Sequence, residues 1–210
     1  MKNESALSFS NLGCVRGERQ LFRSVNCRLA SGQWLYVTGA NGVGKTSLLR
    51  MVCGLAPVDE GQILWNDIPI QTQRDAYYED LFYLGHANAL QESMTVLENL
   101  RFCCALAGVA LDDAATPDVL ARFGLKGRHN QLVRHLSQGL KRRVALSRLA
   151  LSPARLWVLD EPFVAMDEAA VRLLANLIAS HLDIGGLAVL TSHQQVDIGA
   201  IPPQLLELRA

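Results

Sequence analysis

Neither sign of charge is in excess in this sequence of 210 residues, which contains 20 lysines and arginines and 20 aspartates and glutamates. A general nucleic-acid binder usually carries a basic excess or a segregated basic face. Only short basic clusters occur here, such as residues 141–143. The charge balance therefore weighs against nucleic acid as a partner.

The sequence also lacks an apolar run long enough to cross a bilayer, which takes about 20 residues. Its longest apolar stretches, residues 100–111 and 145–159, are interrupted by Arg, Ser or Pro. The first thirteen residues lack the apolar middle of a signal peptide. We therefore expect a cytosolic protein. Because its mean hydropathy is nevertheless positive, we also expect an apolar surface that a partner covers.

The cysteines form no C-x-x-C pair, and no histidine stands near them at the spacing of metal ligands. Zinc coordination is therefore not expected. Cysteine without such a pattern behaves as a small apolar residue in the core. The five residues to which this applies are Cys14, Cys27, Cys53, Cys103 and Cys104.

The order of apolar patterns predicts an α/β fold. The first third reads as strands and turns, and an apolar strand, WLYVTG, then leads into a glycine loop and a helix. Helical patterns fill residues 94–152, and strand, helix and strand patterns follow. We predict a single domain over residues 1–210, with a parallel-sheet core, an N-terminal antiparallel β part and a helical subdomain inserted at about 94–152.

The segment GANGVGKT, residues 39–46, fits the phosphate-loop pattern G-x-x-x-x-G-K-[ST] between a strand and a helix. Glycines allow backbone N–H groups to turn around phosphate oxygens, and the helix directs its positive end at the same anion. A glycine-rich turn matched by chance would lack this context. Lys45 is expected to reach the outer phosphates and the Thr46 hydroxyl to face Mg²⁺. The predicted nucleotide contacts are Gly39, Ala40, Asn41, Gly42, Val43, Gly44, Lys45, Thr46 and Ser47.

The segment LWVLDEP predicts an acidic site at the end of a buried strand, where ligands bind in open α/β sheets. Asp160 can hold Mg²⁺ through its water shell. Glu161 projects to the opposite side and could orient or deprotonate an attacking water. A surface acidic turn is the alternative, which the phosphate loop makes less favoured.

A third pattern, LSQGLKRR at residues 136–143, places Ser137 at a helix start. An ordinary N-cap would explain the serine by itself. The free N–H groups of a helix start also attract phosphate. The position of this segment ahead of WVLDEP favours the second interpretation.

With a phosphate loop, a helical insertion, LSQGLKRR and WVLDEP in that order, nearly the whole chain resembles the ATPase subunit of ABC transporters. The resemblance implies a P-loop NTPase fold, ATP and Mg²⁺ as ligands, and a homodimer paired head to tail. In that dimer Ser137 and the Gly139 backbone would contact the γ-phosphate bound by the other subunit. The chain departs from the family signature LSGGQ at Gln138 and Leu140.

Further family positions follow from the same resemblance. His193, in VLTSHQ, would contact the γ-phosphate and position water. Asp167 would help couple the two subunits. Arg16 stands where the family places an aromatic residue on adenine, and a guanidinium plane can also stack on a base. His86 replaces the usual glutamine that touches Mg²⁺ and water, and would add pH sensitivity.

Within the family, the chain is most similar to the CcmA-type haem exporter ATPase of cytochrome c maturation. The short length, His86 and Phe163 after the acidic strand carry that resemblance. It implies a peripheral position on the cytoplasmic face of a bacterial inner membrane. It also implies a multi-span, CcmB-like membrane subunit, further cytochrome c maturation membrane proteins, and haem export or release of a haem-loaded chaperone as the output.

Three other functions are compatible with parts of the sequence. A non-transport ABC ATPase of DNA repair or translation usually has a long coiled-coil insertion or two cassettes, whereas this chain has one phosphate loop and a short insertion. A second alternative is an ABC ATPase that energises a different substrate. A monomeric P-loop kinase or GTPase leaves LSQGLKRR and His193 unexplained.

Overall fold

The computed structural model describes residues 5–164, 166–192 and 196–209. The strands are β1 (Ala6–Arg16), β2 (Arg19–Ala30), β3 (Trp34–Thr38), β4 (Glu60–Trp65), β5 (Ile68–Pro69), β6 (Leu81–Leu84), β7 (Leu156–Leu159), β8 (Leu187–Thr191) and β9 (Gln204–Glu207). The helices are α1 (Lys45–Val52), α2 (Arg74–Glu79), α3 (Val96–Leu106), α4 (Thr116–Arg122), α5 (Gln138–Ser147) and α6 (Glu168–Asp183), with short 3₁₀ turns at Val133–His135 and Leu149–Leu151.

A parallel sheet forms the centre of the fold, in the strand order β6-β7-β8-β3-β9. Every residue of β7 and β8 is buried, as expected for strands covered on both faces. Because all these strands run in one direction, their carboxyl ends meet at one edge of the sheet. That edge receives the glycine loop and the acidic turn, and the predicted α/β fold is confirmed.

An antiparallel sheet in the order β2-β1-β4-β5 contains the N-terminal strands. The β4–β5 hairpin turns at Asn66 and Asp67, whose φ angles are 54° and 64°. Positive φ at both central residues is the geometry of a two-residue type I′ turn, for which Asn and Asp are favoured.

Helices α3, α4 and α5 lie between β6 and β7 in the chain, where the sequence predicted helices. Thr95 and Glu98 form a reciprocal capping box that starts α3. These helices pack in a second apolar core with Trp34 and Trp157, whereas α1 packs in a first core with β1, β2 and β4. A separate helical subdomain at about 94–152 stays a prediction. No helix of the described part of the chain is both long and apolar enough to cross a membrane.

The structure contains two elements that the patterns did not predict. Strand β9 extends the parallel sheet beyond β3, although alternate residues such as Leu205 are exposed. Helix α2 has only six residues, and Tyr77 anchors it by donating a 2.6 Å hydrogen bond to the Val52 carbonyl. Both elements are too short for a recognisable period, and tertiary contacts stabilise them.

His181 of α6 occupies a buried niche away from the carboxyl edge of the sheet. Its ring stacks on Trp157 with centroids 3.8 Å apart, and its Nε2 lies 3.1 Å from the Arg155 carbonyl and 3.2 Å from that of Leu187. Burial lowers the pKa of His181, although the two carbonyls act in the opposite direction. The folded state therefore favours the neutral ring.

We expect His181 to make stability fall in mild acid. Because the folded pKa lies below the unfolded value of about 6.5, the unfolded chain binds more protons between the two values. The contribution is complete above about pH 6.5 and declines as the pH falls toward the folded pKa. Urea unfolding at several pH values from 7.5 to 5.0 should show a smaller decline for His181→Gln than for the wild type. The exposed His129→Gln is the control, and equal declines for all three proteins would contradict the prediction.

Candidate functional site

The carboxyl edge of the parallel sheet brings together residues from three separate parts of the sequence. Strand β3 leads into the glycine loop at 39–46, β7 ends just before Asp160, and β8 ends at Thr191. β7 lies beside β8, and β8 lies beside β3. His86 follows β6, on the far side of β7. The phosphate loop and the acidic turn, which the sequence predicted separately, therefore share one edge.

The glycine loop needs glycine for conformation and for space. Gly39, Gly42 and Gly44 have φ angles of 140°, 79° and 111°, in a region that other residues rarely adopt. A Cβ atom on Gly44 would lie 3.0 Å from the Phe22 ring and 3.1 Å from the Leu21 side chain. Strand β2 therefore packs directly against the loop and leaves no room for a side chain there.

Lys45 lies across the loop at the start of α1. Its Nζ donates to the Gly39 carbonyl at 2.8 Å and to the Ala40 carbonyl at 3.4 Å. Gly44 is the N-cap of α1, and no described side chain caps this helix start. A positive ammonium, the helix end and the loop N–H groups together form a site that can bind the phosphates of a nucleotide.

Arg16 ends β1 and is held there by its neighbours. Its Nη1 donates to the Val15 carbonyl at 3.1 Å and lies 3.7 Å from the Asp59 carboxylate. Two residues earlier, burial raises the pKa of the Cys14 thiol, and a hydrogen bond with Ser47 of α1 opposes this shift. Arg16 is exposed and so can meet a base, although stacking on adenine stays a prediction.

Asp160 and Glu161 form a tightly held turn after β7. The Asp160 side chain is 2% exposed, and its Oδ1 accepts a 2.8 Å hydrogen bond from the Thr191 hydroxyl. The same hydroxyl accepts a 2.9 Å hydrogen bond from the Glu161 backbone N–H. Sequence reasoning missed Thr191, whose only signal is a hydroxyl residue at the end of a buried strand.

The second Asp160 oxygen provides a test of whether Mg²⁺ fits the site. Oδ2 is buried and has no hydrogen-bond partner among the described residues. A carboxylate oxygen in that state is costly unless a cation or ordered water satisfies it, and Mg²⁺ prefers oxygen ligands. Thr46 presents an exposed hydroxyl in the first turn of α1. These residues fit the ion, whereas the exposed imidazole of His86 is a donor that Mg²⁺ does not prefer.

Glu161 adopts a backbone conformation that is unusual for its type. Its φ angle is 49°, and a non-glycine residue in the left-handed region costs about 1–3 kcal/mol. The half-buried side chain lies near Tyr36 of β3. Burial raises the pKa of Tyr36, and the charge of Glu161 adds to that shift. His193, the other predicted catalytic residue, lies outside the described residues.

The signature segment begins α5 as predicted. Ser137 is the N-cap, and its Oγ accepts a 3.3 Å hydrogen bond from the Leu140 N–H. Ser137 is exposed and Gly139 is half-buried. Leu136 packs in the second core, whereas Val43 of the glycine loop packs in the first. Ser137 is therefore presented at the surface. The residue before it packs in a different apolar core from the phosphate loop of the same chain.

Asp167 connects the signature helix to α6. It caps α6 by accepting a 2.8 Å hydrogen bond from the Ala170 N–H, and its other oxygen pairs with Arg143 of α5 at 2.5 Å. The hydrogen bond from Ala170 holds the pKa of Asp167 below its usual value, and Arg143 adds to the effect. Asp167 therefore links the start of α6 to the middle of α5.

Comparisons with known proteins identify the family of the chain. Residues 22–164 match the protein family described as ABC transporter. The chain is 74% identical to a "Cytochrome c biogenesis ATP-binding export protein CcmA" of Albidiferax ferrireducens over the full length of both. A protein of the same name from Dechloromonas aromatica is 51% identical over 92% of this chain and 95% of its own length.

Among solved structures, an ABC transporter ATP-binding protein from Pyrococcus furiosus shares the fold, with a TM-score of 0.83 at 24% identity over 97% of both chains. An ATP binding subunit of an ABC transporter superposes with a TM-score of 0.80 at 25% identity, over 89% of this chain and 79% of the other. With its glycine loop, its acidic turn and these matches, the chain belongs to the ABC transporter family, as an ATP-binding subunit.

Proposed function

We propose that this protein is the ATP-hydrolysing subunit of a bacterial membrane complex for cytochrome c biogenesis, which exports haem or releases a haem-loaded chaperone. The observation that carries the proposal is the 74% identity, along both full lengths, to a protein named for cytochrome c biogenesis and ATP-binding export. The 51% identical relative has the same name. The geometry of the carboxyl edge supports the ATP binding that this name describes.

In the proposal the ATP phosphates occupy the glycine loop. Lys45 is poised above the Gly39 carbonyl and would shift to the outer phosphates, which are stronger partners for its charge. Arg16 would cover the base. Backbone and side-chain contacts would come from Gly39, Ala40, Asn41, Gly42, Val43, Gly44, Thr46 and Ser47.

Thr46 and Asp160 would hold Mg²⁺, with the buried Oδ2 of Asp160 as the charged oxygen. The ion neutralises phosphate charge when it is bound. His86 would lie in the outer surroundings of the ion and contact its water shell, since imidazole is not a preferred Mg²⁺ ligand. Glu161 would accept the proton of the attacking water, and His193 would contact the γ-phosphate.

We propose that two copies pair head to tail, so that each copy completes the nucleotide site of the other. The exposed Ser137 Oγ and the half-buried Gly139 would then face the γ-phosphate held by the other copy. The helix start at Ser137 suits that anion. The Asp167–Arg143 pair, which joins α5 to α6, would lie beside the same seam.

The surface also supports a membrane partner. A groove of about 260 Å³ is lined by apolar residues of α3 and β6, including Phe82 and Leu106. Next to it, a second groove of about 470 Å³ is lined by residues such as Leu55 and Tyr78. Leu106 is 73% exposed and Leu55 is 54% exposed. We propose that a CcmB-like, multi-span subunit covers this face and holds the chain peripherally on the cytoplasmic side of the inner membrane, with further maturation proteins nearby.

Deletion of the gene tests the biological role. We expect haem-stained c-type cytochromes to be lost and b-type cytochromes to remain, because only covalent haem attachment depends on this pathway. Complementation with the wild-type chain should restore the c-type proteins, whereas complementation with Lys45→Ala at equal protein level should not. Normal c-type cytochromes in the deletion strain would contradict the proposal and favour another substrate or a non-transport ATPase.

A further inference from the structure

A buried arginine that no sequence motif singled out holds the catalytic turn. Arg142 of α5 is 5% exposed. Its Nη2 donates a 2.9 Å hydrogen bond to the Glu161 carbonyl, and its Nε lies 3.4 Å from the Pro162 carbonyl. Two of its three nitrogens thus bind consecutive carbonyls of the turn that carries the proposed base.

These contacts constrain a residue whose backbone is strained. The Glu161 N–H binds the Thr191 hydroxyl, and the Glu161 carbonyl binds Arg142. Both peptide groups that flank the left-handed φ angle of 49° therefore have fixed partners. Strained conformations of this kind persist only where the surroundings hold them. The direction of the Glu161 side chain depends on that backbone.

The third nitrogen of Arg142 connects the turn to the loop after β6. Nη1 donates to the Asn88 Oδ1 at 3.1 Å and lies 3.5 Å from the Gly85 carbonyl. A second arginine, Arg148, lies 3.5 Å from the Asn88 backbone carbonyl and lines the 260 Å³ groove. Asn88 is therefore held between the groove and the arginine that binds the catalytic turn.

We propose that Arg142 is a positioning residue that holds the Glu161 carboxylate in its catalytic direction and links it, through Asn88, to the loop after β6. Arg142 contacts neither nucleotide nor water in this role, and acts through the Glu161 backbone. The inference rests on the proposed ATP hydrolysis by Glu161. Through Arg142, a movement of the loop after β6 or of α5 would change the position of the catalytic turn.

The planar guanidinium is essential to this arrangement. A guanidinium presents several N–H donors in a fixed fork, whereas a lysine ammonium is a compact point charge. Arg142→Lys retains the positive charge but cannot reach the Glu161 carbonyl, the Pro162 carbonyl and Asn88 together. Asn88→Ala removes one partner of the fork and leaves α5 and the catalytic turn unchanged in sequence.

The test measures ATP turnover by the full chain, alone and together with the proposed membrane subunit. We expect Arg142→Lys to lower kcat by about tenfold or more, since small misplacements of catalytic groups cost that much, with KM for ATP within about twofold. Asn88→Ala should lower kcat about threefold, and the double variant should fall no further than Arg142→Lys, because the two residues act through one contact. Arg28→Lys, which changes an exposed pair with Asp67, is the matched control and should match the wild type.

A second comparison separates positioning from general support of the fold. In the Glu161→Gln background, Arg142→Lys should change the residual kcat by less than about twofold, because the group that it positions is already disabled. A further tenfold fall there, or unchanged kcat for Arg142→Lys in the wild-type background, would overturn the proposal. If Arg142→Lys does not fold, Asn88→Ala decides: an unchanged kcat overturns the link. Absence of turnover in the wild type, or full turnover in Glu161→Gln, would instead overturn the proposed function.

Discussion

Glu161→Gln is expected to lower kcat for ATP hydrolysis by about 10²-fold or more, which is the usual effect of removing a general base. Glutamine has nearly the same shape as glutamate, and its backbone can keep the hydrogen bonds to Thr191 and Arg142. The amide cannot accept the proton of the attacking water. The nucleotide contacts in the glycine loop are unaffected, so the Kd for ATP should change by less than about twofold.

The measurement combines steady-state phosphate release with equilibrium binding of a fluorescent ATP analogue. Glu207→Gln is the matched control, because it makes the same change at an exposed glutamate that pairs only with Arg209 among the described residues. Turnover equal to the wild type in Glu161→Gln would show that another group takes the proton. Loss of nucleotide binding would show instead that Glu161 supports the site structurally.

Ser137→Arg should abolish most ATP turnover while ATP still binds to the glycine loop of the same chain. The exposed N-cap would carry a long side chain into the seam where the γ-phosphate of the other copy is expected.

Lys45→Ala should instead weaken ATP binding, because it removes a charged contact between the chain and the phosphates of the ATP in its own glycine loop. Such contacts are worth about 1.5–3 kcal/mol, so the affinity for ATP should fall about 10- to 100-fold.

Sedimentation with ATP tests whether Ser137→Arg prevents dimer formation. The wild type should form dimers, whereas Ser137→Arg should remain monomeric, with a turnover at least about 10²-fold lower and an unchanged Kd for ATP. Ser180→Arg, the same change at an exposed position of α6, should behave as the wild type. A monomeric Ser137→Arg protein with full turnover would contradict the head-to-tail arrangement and favour hydrolysis within one chain.

The sequence alone predicted those parts of the site that lie within one contiguous segment. The glycine loop, the strand before it and the helix after it occur together in residues 34–52, and the structure contains all three. The Ser137 N-cap is also local, since it depends on residues within four positions. The order of strand and helix patterns was enough to predict the α/β fold, because parallel strands need crossovers between them.

The tertiary structure decided the contacts that hold the acidic turn at Asp160 and Glu161. Thr191 and Asp160 are 31 positions apart, and Arg142 and Gly85 are 57 positions apart. No local pattern indicates such pairs, because they depend on which strands become neighbours in the sheet and on how α5 packs against them. The same holds for β9 and α2, which are too short to show a period.

The residue types proposed to bind phosphate, cation and water were therefore predicted from the sequence, because short segments encode the backbone geometry around them. The left-handed Glu161, the buried Asp160 Oδ2 and the fork of Arg142 became visible only in the folded chain. Folding buries these polar groups together. In a buried environment a hydrogen bond is stronger, and a polar atom without a partner is more costly, than in water. The physical reason is that local conformation follows neighbouring residues, whereas burial and long-range hydrogen bonds depend on the whole fold.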